Sequence, residues 1–180
     1  QHHFAVLGPQ ILSKDQKVIS LMEPIAPRAV YIVHRWLIQC QLVLCRFIPG
    51  FFDAVDAVKN CVGKLRKPKK QAPTAGESKL QPQKDIMLRG CFWIFSPDYV
   101  ERFDGLDDRT FLYREEQLLF IRLKKNGLHT YYDPELKIIH LEDAATNAVA
   151  KTEFKKRVFT LQNEVKSMKI LIDALKDYQG

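Results

Sequence analysis

Two adjacent carboxylates, Glu115 and Glu116, open a stretch in which Leu118, Leu119, Ile121 and Leu123 supply the apolar residues of a helix. A carboxylate fixed by a rigid helix start at the mouth of a pocket is well placed to take a proton from a hydroxyl. Two acids in a first helical turn also complement the helix dipole, and spacing alone favours that simpler role. His140 closes an apolar run and precedes Leu141-Glu142-Asp143. Its imidazole is a borderline ligand suited to Mn²⁺, while the default state of a lone His at a strand end is capped or solvated. Arg89, Arg114 and Arg122 have the chemistry to pair with diphosphate or polar substrate groups, and serve equally as surface charges. The cysteines, Cys40, Cys45, Cys61 and Cys91, form no CxxC pair and have no His at zinc-ligand spacing. Three of them fall in apolar surroundings and read as small hydrophobes, and the set reads as that of a reducing compartment, hence a cytoplasmic location.

The elements that position these groups follow from periodicity. Phe4 to Gly8 is a short apolar run, and Gly8-Pro9 marks the end of a buried strand. Pro27 to Arg66 has helical spacing broken once at Pro49-Gly50, which predicts two helices, the second with an apolar seam from Ala54 to Leu65. Lys67 to Lys84 carries three prolines and few apolar residues and reads as a mobile basic linker. Cys91 to Phe95 has the aromatic and β-branched content of a buried strand. Ser96-Pro97 opens a short helix that ends by Gly105. A second helix spans about Arg114 to Lys125, stopped by Asn126-Gly127. Two brief strands follow, Thr130 to Tyr132 and Lys137 to His140, split by Asp133-Pro134. Phe154, Val158, Leu161, Val165, Met168, Ile172 and Leu175 advance by fours and threes, which makes one long C-terminal helix with a single seam. That seam packs on the parent domain or, as the sharper alternative, forms a homodimer contact.

Bulk composition bounds the function classes. The chain has 180 residues, 46% hydrophobic and 27% charged, ordinary for one globular domain with a core. Its formal net charge of +7 suits nucleic acid, anionic membrane or phosphorylated substrates and selects none. No nucleic-acid motif accompanies the charge, so nucleic acid is not an expected partner. Much of the excess lies in Lys64 to Lys84, a pattern usual for a solvated linker. The apolar run Ala29 to Phe52 is interrupted by His34, Arg35, Gln39, Gln41, Arg46, Pro49 and Gly50 too often to span a bilayer. Its Arg and Trp content suits a surface-lying helix, so a peripheral contact with anionic membrane is a second reading.

Read in order, the chain contains Gly90-Cys-Phe-Trp-Ile-Phe, Phe103-Asp-Gly-Leu-Asp, Phe111-Leu-Tyr-Arg-Glu-Glu-Gln-Leu-Leu-Phe-Ile-Arg122, Tyr132-Asp-Pro and Ile138-Ile-His140. This order resembles the C-terminal half of GT-A-type, family-2 inverting glycosyltransferases that build bacterial cell-surface polysaccharides. The opening Ala5-Val-Leu-Gly-Pro-Gln-Ile-Leu is similar to the strand that follows their metal-binding DxD segment. The acidic pair is Glu-Glu where many relatives have Glu-Asp, and the helical insertion from about 20 to 66 is long. No DxD is present, nor the N-terminal strand that holds the nucleotide base.

The resemblance implies an α/β fold: an incomplete GT-A-like mixed sheet with flanking helices, a helical insertion, a flexible basic linker at 67–84, a motif region at 86–147 and a C-terminal helix at 150–178. It implies transfer of a sugar from a nucleotide-diphosphate donor to a saccharide or lipid-linked acceptor at the inner membrane face. Glu116 is then the base and Glu115 orients hydroxyls, with Arg89, Gly90, Cys91, Tyr113 and Arg114 at the substrate. His140 would share a divalent cation, Mn²⁺ or Mg²⁺, with an upstream DxD. These 180 residues alone would then be inactive. The alternative from another class is a non-catalytic basic helical module for membrane-surface or protein contact.

Overall fold

The computed structural model describes residues 4–19, 22–48, 50–65, 81–141 and 152–178. The protein is a mixed α/β structure: a four-stranded sheet with helices packed beside it. The strands are β1 (Val6–Leu12), β2 (Gln83–Lys84), β3 (Ile94–Phe95) and β4 (Thr130–Ile139), and the helices are α1 (Arg28–Phe47), α2 (Phe51–Leu65), α3 (Pro97–Arg102), α4 (Glu115–Lys125) and α5 (Glu153–Ala174). A 3-10 turn, Leu175–Asp177, follows α5.

The sheet order is β2-β4-β1-β3, with β1 and β4 parallel at the centre and the two short strands antiparallel at the edges. Phe4–Gly8 and the segment ending at Phe95 therefore share one sheet, as expected, with Val6 opposite Phe95 and Leu7 opposite Ile94. Four sequence expectations need correction. Gly8-Pro9 does not end β1, which runs on to Leu12. Gly8 is there because Leu88 crosses it so closely that an added Cβ would come within 2.7 Å of a Leu88 methyl. Asp133-Pro134 does not divide β4 into two strands; both limbs pair with β1, and the register jumps from Pro9–Asp133 to Gln10–Lys137. Neither Pro9 nor Pro134 has an N–H to give to the ladder, so the extra residues bulge out there at little cost in hydrogen bonds.

The third correction concerns Cys91–Phe95, which is not a strand covered on both faces. Only Ile94–Phe95 pair, at the sheet edge, and Cys91, Phe92 and Ile94 are exposed. The fourth is that Gln83–Lys84, expected in the linker, form β2 opposite Tyr132 and Tyr131. Residues 67–80 of the expected linker lie outside the described residues.

Other local readings hold. Ser96 caps α3 by accepting the Tyr99 N–H, and Pro97 is its first residue. Gly50, at a positive φ of 69°, turns the chain between α1 and α2. Of the apolar seam expected on α2, Ala54, Val58 and Cys61 face solvent and Val55 is half-buried, while Phe52 packs inside against Phe154. All four cysteines are free.

Two apolar clusters meet at α4. On the sheet side lie Ala5, Val6, Leu88, Tyr99, Leu119, Leu123, Leu128 and Tyr132. On the other side Leu118 and Ile121 of α4 join Tyr31 and Ile38 of α1 and Met168, Leu171 and Leu175 at the chain's C-terminal end. The seam of α5 is thus used within the chain. Arg35 Nε donates to the Val165 carbonyl at 3.2 Å, and Arg28 Nε to that of Ile172 at 3.0 Å, tying α1 along α5. No helix among the described residues is long and apolar enough to cross a membrane.

Candidate functional site

The acidic pair sits on the first turn of α4, and what precedes it is unusual. Tyr113 and Arg114 both adopt left-handed backbone conformations, φ 70° and 74°. A non-glycine residue there costs on the order of 1 kcal/mol, so two in a row need firm anchoring. The anchor is α5. Ser167 Oγ donates to the Leu112 carbonyl at 2.6 Å, the Tyr113 hydroxyl donates to Thr160 Oγ1 at 3.2 Å, and Arg114 forms a largely buried ion pair with Glu164. The Arg114 guanidinium also stands over the Tyr31 ring, 5.7 Å from its centroid. The side chains of Tyr113 and Arg114, expected at the substrate, thus have their polar ends engaged by α5. In this arrangement they orient the turn that delivers Glu115 and Glu116.

Glu116 reaches the loop that leads into β3. The Gly90 N–H donates to Glu116 Oε1 at 3.2 Å. A Cβ on residue 90 would lie 2.7 Å from that oxygen and 3.1 Å from its carboxyl carbon, so this contact admits only glycine as it stands. The Cys91 thiol is pushed up in pKa chiefly by burial and further by the Glu116 charge, against the pull of its own backbone and of Arg89. Arg89, Gly90, Cys91 and Glu116 therefore form one electrostatic neighbourhood. Glu115 is also raised above the usual carboxylate range, first by burial and then by its neighbour Glu116, with its backbone hydrogen bond and Arg114 opposing. A carboxylate lifted in this way holds its proton more readily than one free in water.

The sheet sets where this neighbourhood lies. β3 runs antiparallel to β1, so Gly90 and Cys91, just before it, lie toward the end of the sheet where β1 and β4 finish. His140 leaves β4 at that same end, its N–H donating to the Leu12 carbonyl at 2.8 Å. The carboxyl ends of parallel strands are where open α/β sheets take ligands. Among the described residues no group of three or more His, Cys, Asp or Glu side chains is placed to hold a metal ion. His140 offers one half-exposed imidazole, and Glu142 and Asp143 lie outside the described residues. One ligand does not make a site, so the residues present do not by themselves fit a divalent cation.

Arg122 is occupied elsewhere: it donates to the Gly105 carbonyl at 2.7 Å and stacks on Phe103, closing the Asp104-Gly105 turn. Lys156 and Arg157 pair with Glu153 and Asp56, and Arg157 covers the Phe52 ring at 4.3 Å. Sequence reasoning missed one cluster near the start of β4. Asp85, at φ 62°, accepts from His129 and Lys124. Burial raises its pKa, but those two partners more than offset that and hold the carboxyl below its ordinary range. The signal available was only Asp85 following a basic stretch, too common to single out. Comparison of the chain with protein-family models, with curated proteins and with solved structures returns no match to any of them.

Proposed function

We propose that this chain is the acceptor-side part of an inverting GT-A-type glycosyltransferase, moving a sugar from a nucleotide diphosphate to a saccharide or lipid-linked hydroxyl. The observation that carries the reading is Glu116, fixed on a helix start and docked against Gly90 at the carboxyl end of the parallel strands. The resemblance of the motif order from Gly90 to His140 supplies the reaction class.

In this reading Glu116 accepts the proton of the acceptor hydroxyl while that oxygen attacks the sugar's anomeric carbon. The bond to the diphosphate breaks with its electron pair, and configuration inverts. Oε1 is held by the Gly90 N–H, which leaves the other carboxylate oxygen to receive the proton. Glu115, with its raised proton affinity, orients hydroxyls beside it. Arg89 lies on the same loop, where its charge favours a diphosphate.

Two measurements test this. The encoded residues before Gln1 should contain a DxD within about 40 positions, the segment that the resemblance places ahead of β1. In the protein carrying that segment, Glu116→Gln should lower kcat by about two to four orders of magnitude while donor binding persists. Full activity in both Glu116→Gln and Glu115→Gln would sink the reading. Loss in Glu115→Gln alone would transfer the base to Glu115.

A further inference from the structure

Helix α1 has two apolar faces, and the fold uses one. Tyr31, Ile38 and Leu42 turn inward onto α5 and α4. The opposite side is equally apolar and open: Val33 is 57% exposed, Trp36 61%, Leu37 45% and Phe47 76%. At 3.6 residues per turn, the arc from Ile32 round to Val30 covers roughly 160° of the helix without a charged residue. One border of this arc carries Arg28, Gln39 and Arg46, the other His34 and Gln41. The whole helix contains no Asp or Glu. A contiguous exposed apolar face of this width on a soluble element marks an interaction site.

We propose that this outer face of α1, centred on Val33, Trp36, Leu37 and Phe47 and bordered by Arg28 and Arg46, docks the protein on the surface of an anionic lipid bilayer. The helix lies in the interface and does not cross it, in keeping with the absence of any spanning helix among the described residues. Charge complementarity selects the lipid. With Arg28 and Arg46 on the border of the arc and no acid on the helix, in a chain of net charge +7, the face matches phosphate headgroups. Arginine stems lie along the acyl boundary while their guanidinium groups reach the headgroups, and an exposed Trp has the same dual preference. Pairing of two α1 helices fits less well. Laid antiparallel across a twofold axis, the Arg28 end of one meets the Arg46 end of the other, setting like charges together. The proposal stands apart from sugar transfer and does not depend on Glu116.

Flotation of the full chain with phosphatidylcholine vesicles, with and without phosphatidylglycerol, tests it. Association with the anionic vesicles is expected at low salt, weakening as salt rises, with a blue shift in tryptophan emission. Val33→Glu combined with Phe47→Glu should weaken association at least about tenfold, and Arg46→Ala about fivefold on anionic vesicles only. Trp36→Phe should keep association and lose the emission shift. Brominated lipid should quench Trp36 in the otherwise unmodified chain, a reading that survives even if the double-Glu variant misfolds. No association at low salt, no quenching of Trp36, or unchanged association of a folded double-Glu variant would overturn the proposal. So would sedimentation showing a dimer that the double-Glu variant dissolves, which would give the face to a second copy.

Discussion

The two apolar clusters differ in kind. The sheet-side cluster is rich in aromatic rings: Tyr99 lies between Phe95 and Phe103, with centroids 4.7 and 4.9 Å away. The helical cluster is mostly aliphatic, built on Ile38, Met168 and Leu171, each almost fully buried. The first grips short edge elements with large flat side chains; the second packs long helices by interleaved aliphatic ones. Between them α4 turns Leu119 and Leu123 one way and Leu118 and Ile121 the other. A helix clamped from both sides cannot shift without disturbing both clusters, and the acidic pair is carried on its first turn.

The clamp makes a prediction with a large effect. Leu123→Ala and Leu171→Ala, one in each cluster, should each destabilise by about 2–5 kcal/mol. Because α4 belongs to both, either variant should unfold in a single transition seen alike by near-ultraviolet and far-ultraviolet circular dichroism. Separate transitions would show that the two clusters are independent of each other. Arg114→Ala should come next, at about 2–3 kcal/mol, since it leaves Glu164 largely buried without its partner. Chemical denaturation measures it; a change below about 0.5 kcal/mol would mean that α5 does not hold the turn.

Gly90→Ala sharpens the contrast between packing and placement. The atoms nearest the new methyl all belong to the flexible end of Glu116, so stability should fall by less than about 1 kcal/mol. The residue 90 amide should nevertheless lose its carboxylate partner, visible as an upfield proton shift in NMR. An unmoved amide resonance would show that Glu116 is not seated there.

The smallest effect concerns Glu115. Its folded-state pKa is raised, so stability from this group is fully present below the unfolded value near 4.5 and is lost as pH rises through the folded value. Glu115→Gln mimics the protonated form. It should therefore be slightly more stable than the parent at pH 7 and equal to it near pH 4, by thermal melting. A destabilised variant at pH 7 would give the carboxylate a favourable partner instead.

Local signals in the sequence were enough for the helices. Ser96-Pro97 sets both a cap and a first residue, and the spacing from Phe154 to Leu175 needs no neighbour to be read. The sheet was harder because its punctuation depends on what lies opposite. Gly8 looks like a stop until Leu88 is seen crossing it, and Pro9 and Pro134 become tolerable only because they share one gap in the ladder. Of the candidate site, Glu115 and Glu116 were visible as a pair. The partners that fix them, Thr160, Glu164 and Ser167, lie 47 to 55 residues from the groups they hold, and no local pattern links them.

That separation has a consequence for synthesis. The chain emerges from its N-terminal end, so the sheet strands and α4 exist before α5 has been made. Until Thr160, Glu164 and Ser167 appear, the α5 anchors that offset the left-handed conformations of Tyr113 and Arg114 are missing. The acidic pair therefore acquires its geometry last. A nascent chain broken off before α5 would carry Glu115 and Glu116 without the anchors that fix the turn delivering them.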